Sequence, residues 1–392
     1  VPVLFDADNH YYEPKDCFTR HMPARHMDDA IRLVPDRDGG EQLFVGDRPF
    51  TFLRTPFPER HARPGALREM LRSMKSGAPQ ETEQVQEDVD PAYTSREARL
   101  RLMDEQGLQS MVLFPTLAVC VEHFMKDDPV RTYHNVHAFN EWLHDDWGFG
   151  TDGRIYGVPL LSLLDVDAAV AELEWALDRG ARFIHLRPGP QGGHNPADPM
   201  FDPFWARVDE AGVTVAFHIS ESGFNELYSQ HWGETANPTS HEQSAFQWAC
   251  FYGDLPIMQT LAGLIFMNLF GRFPNIRVMS VENGSLFVPY LLAVMDKMKG
   301  MGRNGPWPGG YVAGRPSEVF KQHVWVSPYH EEDIVALTRT IGADHVLFGS
   351  DFPHVEGLAD PKEFREGLAG LSDTEQLLIM GENCAALAAP PR

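Results

Sequence analysis

The sequence predicts an α/β protein, a (β/α)8 TIM barrel, and three observations carry that expectation. Short apolar, β-branched runs alternate with longer amphipathic ones; the alternation occurs eight times; and the helix-to-strand joints often carry glycine, at Gly107, Gly180, Gly212 and Gly342, where a left-handed residue can end a helix. Eight strand-then-helix units in 392 residues are what a closed parallel barrel requires, whereas a doubly wound sheet rarely needs so many. We therefore expect a single domain over 1–392.

The first strand is expected over Val3–Asn9, an apolar run that ends in polar residues. Residues 20–94 exceed what a strand-to-helix connection needs and read as an insertion, with a small hairpin over Glu41–Thr51 and a polar, mobile stretch over Ser76–Asp90. The first helix follows over Ser95–Gln106. The next units pair Met111–Pro115 with Arg131–Trp147, Ile155–Pro159 with Val166–Asp178, and Arg182–Leu186 with Phe204–Glu210. Val213–His218 pairs with Ile257–Phe270, whose apolar residues run nearly all round, as in a buried helix or a subunit contact. Ile276–Val281 precedes Phe287–Lys297, and His323–Ser327 precedes Glu331–Ile341. The eighth strand is expected over His345–Ser350, with Pro361–Ala388 as the closing helix. Lys299–Pro316, rich in Gly and Pro after the sixth helix, reads either as a capping loop over the barrel mouth or as an ordinary surface loop.

Charge excludes some partners. A net charge of −23 repels phosphate backbones and anionic lipid, so neither nucleic acid nor membrane is an expected partner. The cysteines Cys17, Cys120, Cys250 and Cys384 lie far apart without a C-x-x-C pair, which suits a reducing, cytoplasmic setting. No apolar run reaches the roughly 20 residues of a bilayer crossing, and no export signal is expected. The expected partners are a small-molecule substrate and further copies of the chain, as a homodimer or a larger homo-oligomer.

A barrel of this kind places its chemistry where strands end. Asp6, Asp8 and His10 end the first strand and share one face by the period of two. His218 ends the fifth strand, Glu282 the sixth and Asp351 the eighth. Two imidazoles and two or three carboxylates at one barrel end repel one another or lie unpaired unless a cation joins them, and a divalent metal uses all of them. The expected ligands are Asp8, His10, His218 and Asp351. Zinc is the expected ion, with manganese and iron as alternatives.

Beyond these positions the sequence is similar to a known family. Asp6-Ala7-Asp8-Asn9-His10-Tyr11-Tyr12-Glu13-Pro14, Phe114-Pro115-Thr116, Phe217-His218, Arg272-Phe273-Pro274-Asn275, Ser280-Val281-Glu282-Asn283-Gly284, Trp325-Val326-Ser327-Pro328 and Phe348-Gly349-Ser350-Asp351-Phe352-Pro353-His354-Val355-Glu356-Gly357 resemble the amidohydrolase-related family. That is the branch of the amidohydrolase superfamily that includes the aminocarboxymuconate semialdehyde decarboxylase-like enzymes. The resemblance implies a metal-dependent TIM-barrel enzyme with one divalent ion. Its first strand carries His-x-His in many members and an acidic residue-x-His in several decarboxylases; Asp8 and His10 match the second form. His218 matches the family's strand-five histidine and Asp351 its strand-eight aspartate. The chain departs at strand six, where the decarboxylases usually carry a catalytic histidine and this sequence has Glu282. Binuclear relatives bridge their ions with a carboxylated lysine on strand four, but Arg182–Arg187 contains none, so one ion is expected.

Glu282 reads either as the catalytic acid or base or as a carboxylate that binds the ion or orients His10 or His218. His354, three residues after Asp351, is a candidate proton donor. Arg187 is expected to clamp a substrate carboxylate, while His185 sits deeper; Tyr12 and Trp325 can stack on an aromatic substrate. Three carboxylates against one divalent cation leave the site near −1, which favours a neutral substrate. The expected reaction is therefore hydrolysis of an amide, ester or lactone of a small aromatic or cyclic molecule by metal-activated water. The alternative is non-oxidative decarboxylation of an aromatic or unsaturated carboxylic acid.

Overall fold

Seven parallel strands and an eighth, irregular segment close into a ring in the computed structural model, which describes residues 3–35, 39–68, 70, 86–251 and 253–390. The strands are β1 (Phe5–Tyr11), β2 (Ser110–Pro115), β3 (Ile155–Gly157), β4 (Phe183–His185), β5 (Thr214–His218), β6 (Arg277–Val281) and β7 (Val324–Val326). They form two parallel sheets, β1–β2–β3 and β4–β5–β6–β7. A bridge between Leu160 and His185 joins the sheets on one side. On the other, the segment 346–352 bridges to Val326 and to Asn9, which completes the barrel.

Around the ring run α1 (Arg96–Gln106), α2 (Pro129–Asp146), α3 (Val166–Asp178), α4 (Asp202–Ala211), α5 (Asp254–Phe266), α6 (Phe287–Met301), α7 (Pro316–His323) and α8 (Ile334–Ile341). Their ends follow local chemistry. The Asp128, Asp165 and Asp333 side chains accept the free backbone N–H groups that open α2, α3 and α8. Gly107 and Gly212, at φ 71° and 63°, end α1 and α4 in the left-handed region that side chains with a Cβ avoid. Inside the ring, Phe5, Ala7, Val112, Phe183, Ala216, Met279 and Leu347 form one buried cluster. Cys384, Leu387 and Ala388 belong to the same cluster, and Thr214 Oγ1 bonds Leu387 O at 2.9 Å, so the C-terminal helix plugs the end opposite the strand tips.

Four expectations change in the structure. The eighth strand forms no continuous ladder, because Asp351 adopts φ 54° and Gly349 passes so close to Asp8 that a Cβ there would lie 2.7 Å from the Asp8 Cβ. The run expected as one helix over Ile257–Phe270 is broken by Asn268, at φ 52°, and seven residues of α5 are buried, which makes it a core helix. The closing helix is divided into pieces, one of them opened by a capping box between Ser372 and Glu375.

The fourth change concerns the capping loop. Residues 302–315 do not cover the mouth: Asn268 Nδ2 donates to Gly309 O at 3.2 Å and Trp307 meets Phe266, so the loop lies against the C-terminal end of α5, at the far end of the barrel. Described residues of the 20–94 insertion stand at the mouth instead. Its hairpin joins Glu41–Val45 to Arg48–Pro49, with Arg32–Pro35 as a third strand, and a second pair joins Arg60–Ala62 to Gln86–Asp88. Leu53, Pro58, His61 and Gln86 of the insertion line the mouth. Of the stretch expected to be mobile, residues 76–85 lie outside the described residues.

Candidate active site

Alternation along β1 sends Phe5 and Ala7 into the barrel, so an unbroken strand would turn Asp8 and His10 outward. The ladder with β2 shifts register between Asp6 and Asn9, and this bulge brings Asp8 and His10 inward. Asp6 does not share their face, contrary to the simple period of two. Its carboxylate accepts Asp8 N at 3.1 Å, Ser350 N at 3.0 Å and Asn9 Nδ2 at 2.9 Å, and burial pushes it up to about 7 against those bonds.

At the strand tips the expected ligand residues meet. His10 Nε2 lies 3.3 Å from Asp8 Oδ1, 3.4 Å from Glu282 Oε2 and 3.4 Å from Asp351 Oδ1. His218 Nε2 lies 3.2 Å from His10 Nε2, 3.0 Å from Glu282 Oε2 and 3.5 Å from Asp8 Oδ1. His218 Nδ1 faces Ile219 O at 2.8 Å and donates to it, which leaves the Nε2 lone pair aimed into the cluster. Two imidazole nitrogens thus face each other, and the buried Asp8 Oδ1 has no hydrogen-bond partner. One donor atom from each of Asp8, His10, His218 and Glu282 lies within 4.8 Å of the others, and His10, Glu282, Asp351 and His354 form a second such group. The first of these donor sets fits a divalent cation, which would satisfy the facing imidazole nitrogens and Asp8 Oδ1.

Without that cation the charges oppose one another. Burial disfavours the charge on His218, yet the Asp8 and Glu282 carboxylates outweigh it and push the imidazole up to about 10. Glu282 is held well below the usual carboxylate range, because its contacts with His10 and His218 outweigh burial. Asp351 moves the other way, raised by burial and by the neighbouring Glu282, Glu356 and Asp8 carboxylates. Backbone strain marks the same two residues: Glu282 and Asp351 adopt φ 55° and 54°, a conformation costing about 1–3 kcal/mol for a residue with a side chain. The Tyr329 hydroxyl, which donates to Glu282 O at 2.9 Å, and the bond from Asp351 N to Asp8 O at 2.9 Å hold them there.

His354 stands beside the cluster, its ring 4.1 Å from that of His10. Its Nδ1 lies 2.6 Å from Asp351 Oδ1 and its Nε2 3.0 Å from Thr116 Oγ1. Thr116 gives its own hydroxyl hydrogen to Tyr11 O at 2.8 Å, so toward His354 it is an acceptor. A cavity of 340 Å3 opens over these groups, lined also by Tyr12, His61, Ser220 and His241.

Two expected substrate contacts do not reach that cavity. Arg187 is buried, with Nη1 on Ser222 O at 2.9 Å, Nη2 on Pro190 O at 2.9 Å and Nε 3.7 Å from Glu122 Oε1. Its guanidinium is committed to loop carbonyls and to a buried carboxylate, which leaves no fork for a substrate. Trp325 lies below the site, donates to Asp344 O at 2.8 Å and stacks on His345. His185 is buried, as expected, and burial beside His218 pushes it down to about 3. The sequence reading missed Thr116, His61 and Arg99. Arg99 carried a signal: it falls with Met103 and Gln106 on the buried face of α1, where an arginine conflicts with the apolar pattern.

The family model described as Amidohydrolase matches residues 6–387. The crystal structure of an amidohydrolase from Mycobacterium avium subsp. paratuberculosis K-10 superposes with a TM-score of 0.88 at 35% identity, covering 99% of each chain. A gamma-resorcylate decarboxylase from Rhodococcus jostii (strain RHA1) is 25% identical over 315 residues, which is 74% of this chain and 87% of the relative. A 2-keto-4-carboxy-3-hexenedioate hydratase from Sphingobium sp. (strain NBRC 103272 / SYK-6) is 25% identical over 289 residues, 71% of this chain and 75% of the relative.

Proposed function

The chain belongs to the amidohydrolase family, and on that premise we propose that it is a metal-dependent lyase that decarboxylates a small aromatic or unsaturated carboxylic acid. The observation that carries the reading is the convergence of Asp8, His10, His218, Glu282 and Asp351 beside a hydrogen-bonded His354. Hydrolysis, the first expectation from sequence, loses support on two counts. Of the two 25%-identical relatives one is named a decarboxylase and the other a hydratase. Glu282, the base that hydrolysis would need, stands among the ligand atoms rather than apart from them.

In this reading Asp8, His10, His218, Asp351 and Glu282 hold one divalent ion. A donor set of two imidazoles and three carboxylates exceeds the tetrahedral preference of zinc and suits manganese better. When bound, the ion supplies positive charge that orients a substrate oxygen. His354 supplies the proton. Thr116 accepts from its Nε2–H, its Nδ1 faces Asp351 Oδ1, and the ring is held against that of His10. As the bond to the carboxylate carbon breaks, the electron pair remains on the substrate carbon, His354 protonates that carbon, and carbon dioxide leaves; water returns the proton to His354. Tyr12, Leu53 and Val119 supply apolar walls, and Phe114 packs beneath them with its ring 4.6 Å from that of His218.

The test is a panel of hydroxybenzoates, unsaturated acids, amides, esters and lactones given to manganese-loaded protein. Carbon dioxide release from at least one acid is expected. Cleavage of an amide, ester or lactone with no carbon dioxide from any acid overturns the proposal. Addition of water to an unsaturated acid, which the hydratase relative favours, would show in the same assay as a product retaining every carbon.

A further inference from the structure

A fully buried guanidinium lies behind the site without lining its cavity. Arg99, on α1, donates from Nε to Ala92 O at 2.6 Å, from Nη2 to His10 O at 2.7 Å and from Nη1 to the Asn9 side-chain oxygen. Its plane is packed among Tyr93, Trp147 and Phe352, with ring centroids 5.8, 6.0 and 5.6 Å away. Burying a charge is costly, and only a rigid fork of donors reaches three acceptors in fixed directions at once.

Those acceptors lie on the bulge itself. Asn9 is the residue at which the β1 ladder resumes after its register shift, and His10 follows it. The other half of the Asn9 amide donates to Asp6 Oδ2 at 2.9 Å, and the Asp6 carboxylate receives both the backbone N–H and the hydroxyl of Ser350. Ser350 Oγ in turn accepts Phe352 N at 3.2 Å, so the chain of bonds ends on both sides of Asp351. One buried network therefore runs from α1 to the two segments that carry Asp8, His10 and Asp351, at the seam where single bridges replace a ladder.

We propose that Arg99 is a positioning residue for the ion site, fixing through Asn9 and the His10 carbonyl the bulge that turns Asp8 and His10 inward, and through Asp6 and Ser350 the loop that presents Asp351. This rests on the reading that those side chains hold a divalent ion. Partners behind metal ligands commonly alter metal affinity by about 10–100-fold when removed. A merely structural arginine would lower stability and leave affinity alone.

The experiment is the dissociation constant for manganese, by competition with a chelating dye, for wild type, Arg99→Lys and Asn9→Ala, beside circular dichroism and thermal melting of each. Weakening of about 10–100-fold in folded Arg99→Lys and in Asn9→Ala is expected. Unchanged affinity in the folded variants overturns the inference, whatever happens to the melting temperature. Asn9→Ala cuts the link from Arg99 to Asp6 and Ser350 and leaves the bond from Arg99 to His10 O, so it decides the matter if Arg99→Lys does not fold. Wild-type protein that takes up neither manganese nor zinc overturns the ion site itself, and this inference with it.

Discussion

At the scale of single residues, the proposed mechanism assigns the ion to one set of groups and the proton to His354, and the two roles can be tested apart. Glu282→Gln should lose bound metal, since Glu282 Oε2 is 3.0 Å from His218 and 3.4 Å from His10, within the same group of donor atoms. His354→Asn should keep the metal and lower kcat by about 100-fold or more, the usual loss for a general acid. Elemental analysis and steady-state kinetics on the two variants check both; retention of metal by Glu282→Gln would return that residue to the role of base. That Asp8, His10, His218 and Asp351 meet at the strand tips was legible in the sequence, because strand ends can be located from apolar runs and polar residues there stand out. Arg187 was misread because a strand-end arginine looks alike whether it faces substrate or a buried carboxylate. Its partner Glu122 comes from a different loop, and spacing cannot pair the two. Nor does spacing reveal a left-handed backbone at Glu282 and Asp351, which the surrounding fold imposes.

At the scale of elements, α3 was readable to the residue, whereas α2 begins two residues before its expected start and α8 three residues after. The bulge in β1 and the missing eighth ladder were not readable, since both answer to close approach between distant segments. The loop after β2 gives an element-scale prediction. The buried Glu13 carboxylate accepts Leu117 N and Ala118 N, each at 2.9 Å, and burial pushes it up to about 7 against those bonds. A carboxyl raised on folding contributes stability that is full below its unfolded value near 4.5 and is lost as pH rises through the folded value. Between pH 5 and pH 8 wild type should therefore lose up to about 3 kcal/mol from this group, an upper figure at about 1.4 kcal/mol per pH unit. Glu13→Gln keeps an acceptor for both N–H groups without the titration, so its urea stability should change less over the same interval. Equal pH dependence in the two proteins would remove Glu13 from the account.

At the scale of the whole molecule, the ring consists of two sheets that meet through isolated bridges, and the site lies across one of the junctions. Asp8 and His10 belong to the β1–β2–β3 side, His218 and Glu282 to the β4–β7 side, and Asp351 to the segment between them. Removal of metal by a chelator should lower the melting temperature, because an ion held only by the folded state adds about 2.7 kcal/mol at one hundred times its dissociation constant. An unchanged melting curve after verified removal would argue against the ion. The consequence reaches further than affinity. An ion gripped from both sides acts as a clasp on a split hoop: with it fastened the two arcs should open together, and with it withdrawn the arc built on β1 should exchange its amide hydrogens sooner than the arc built on β5.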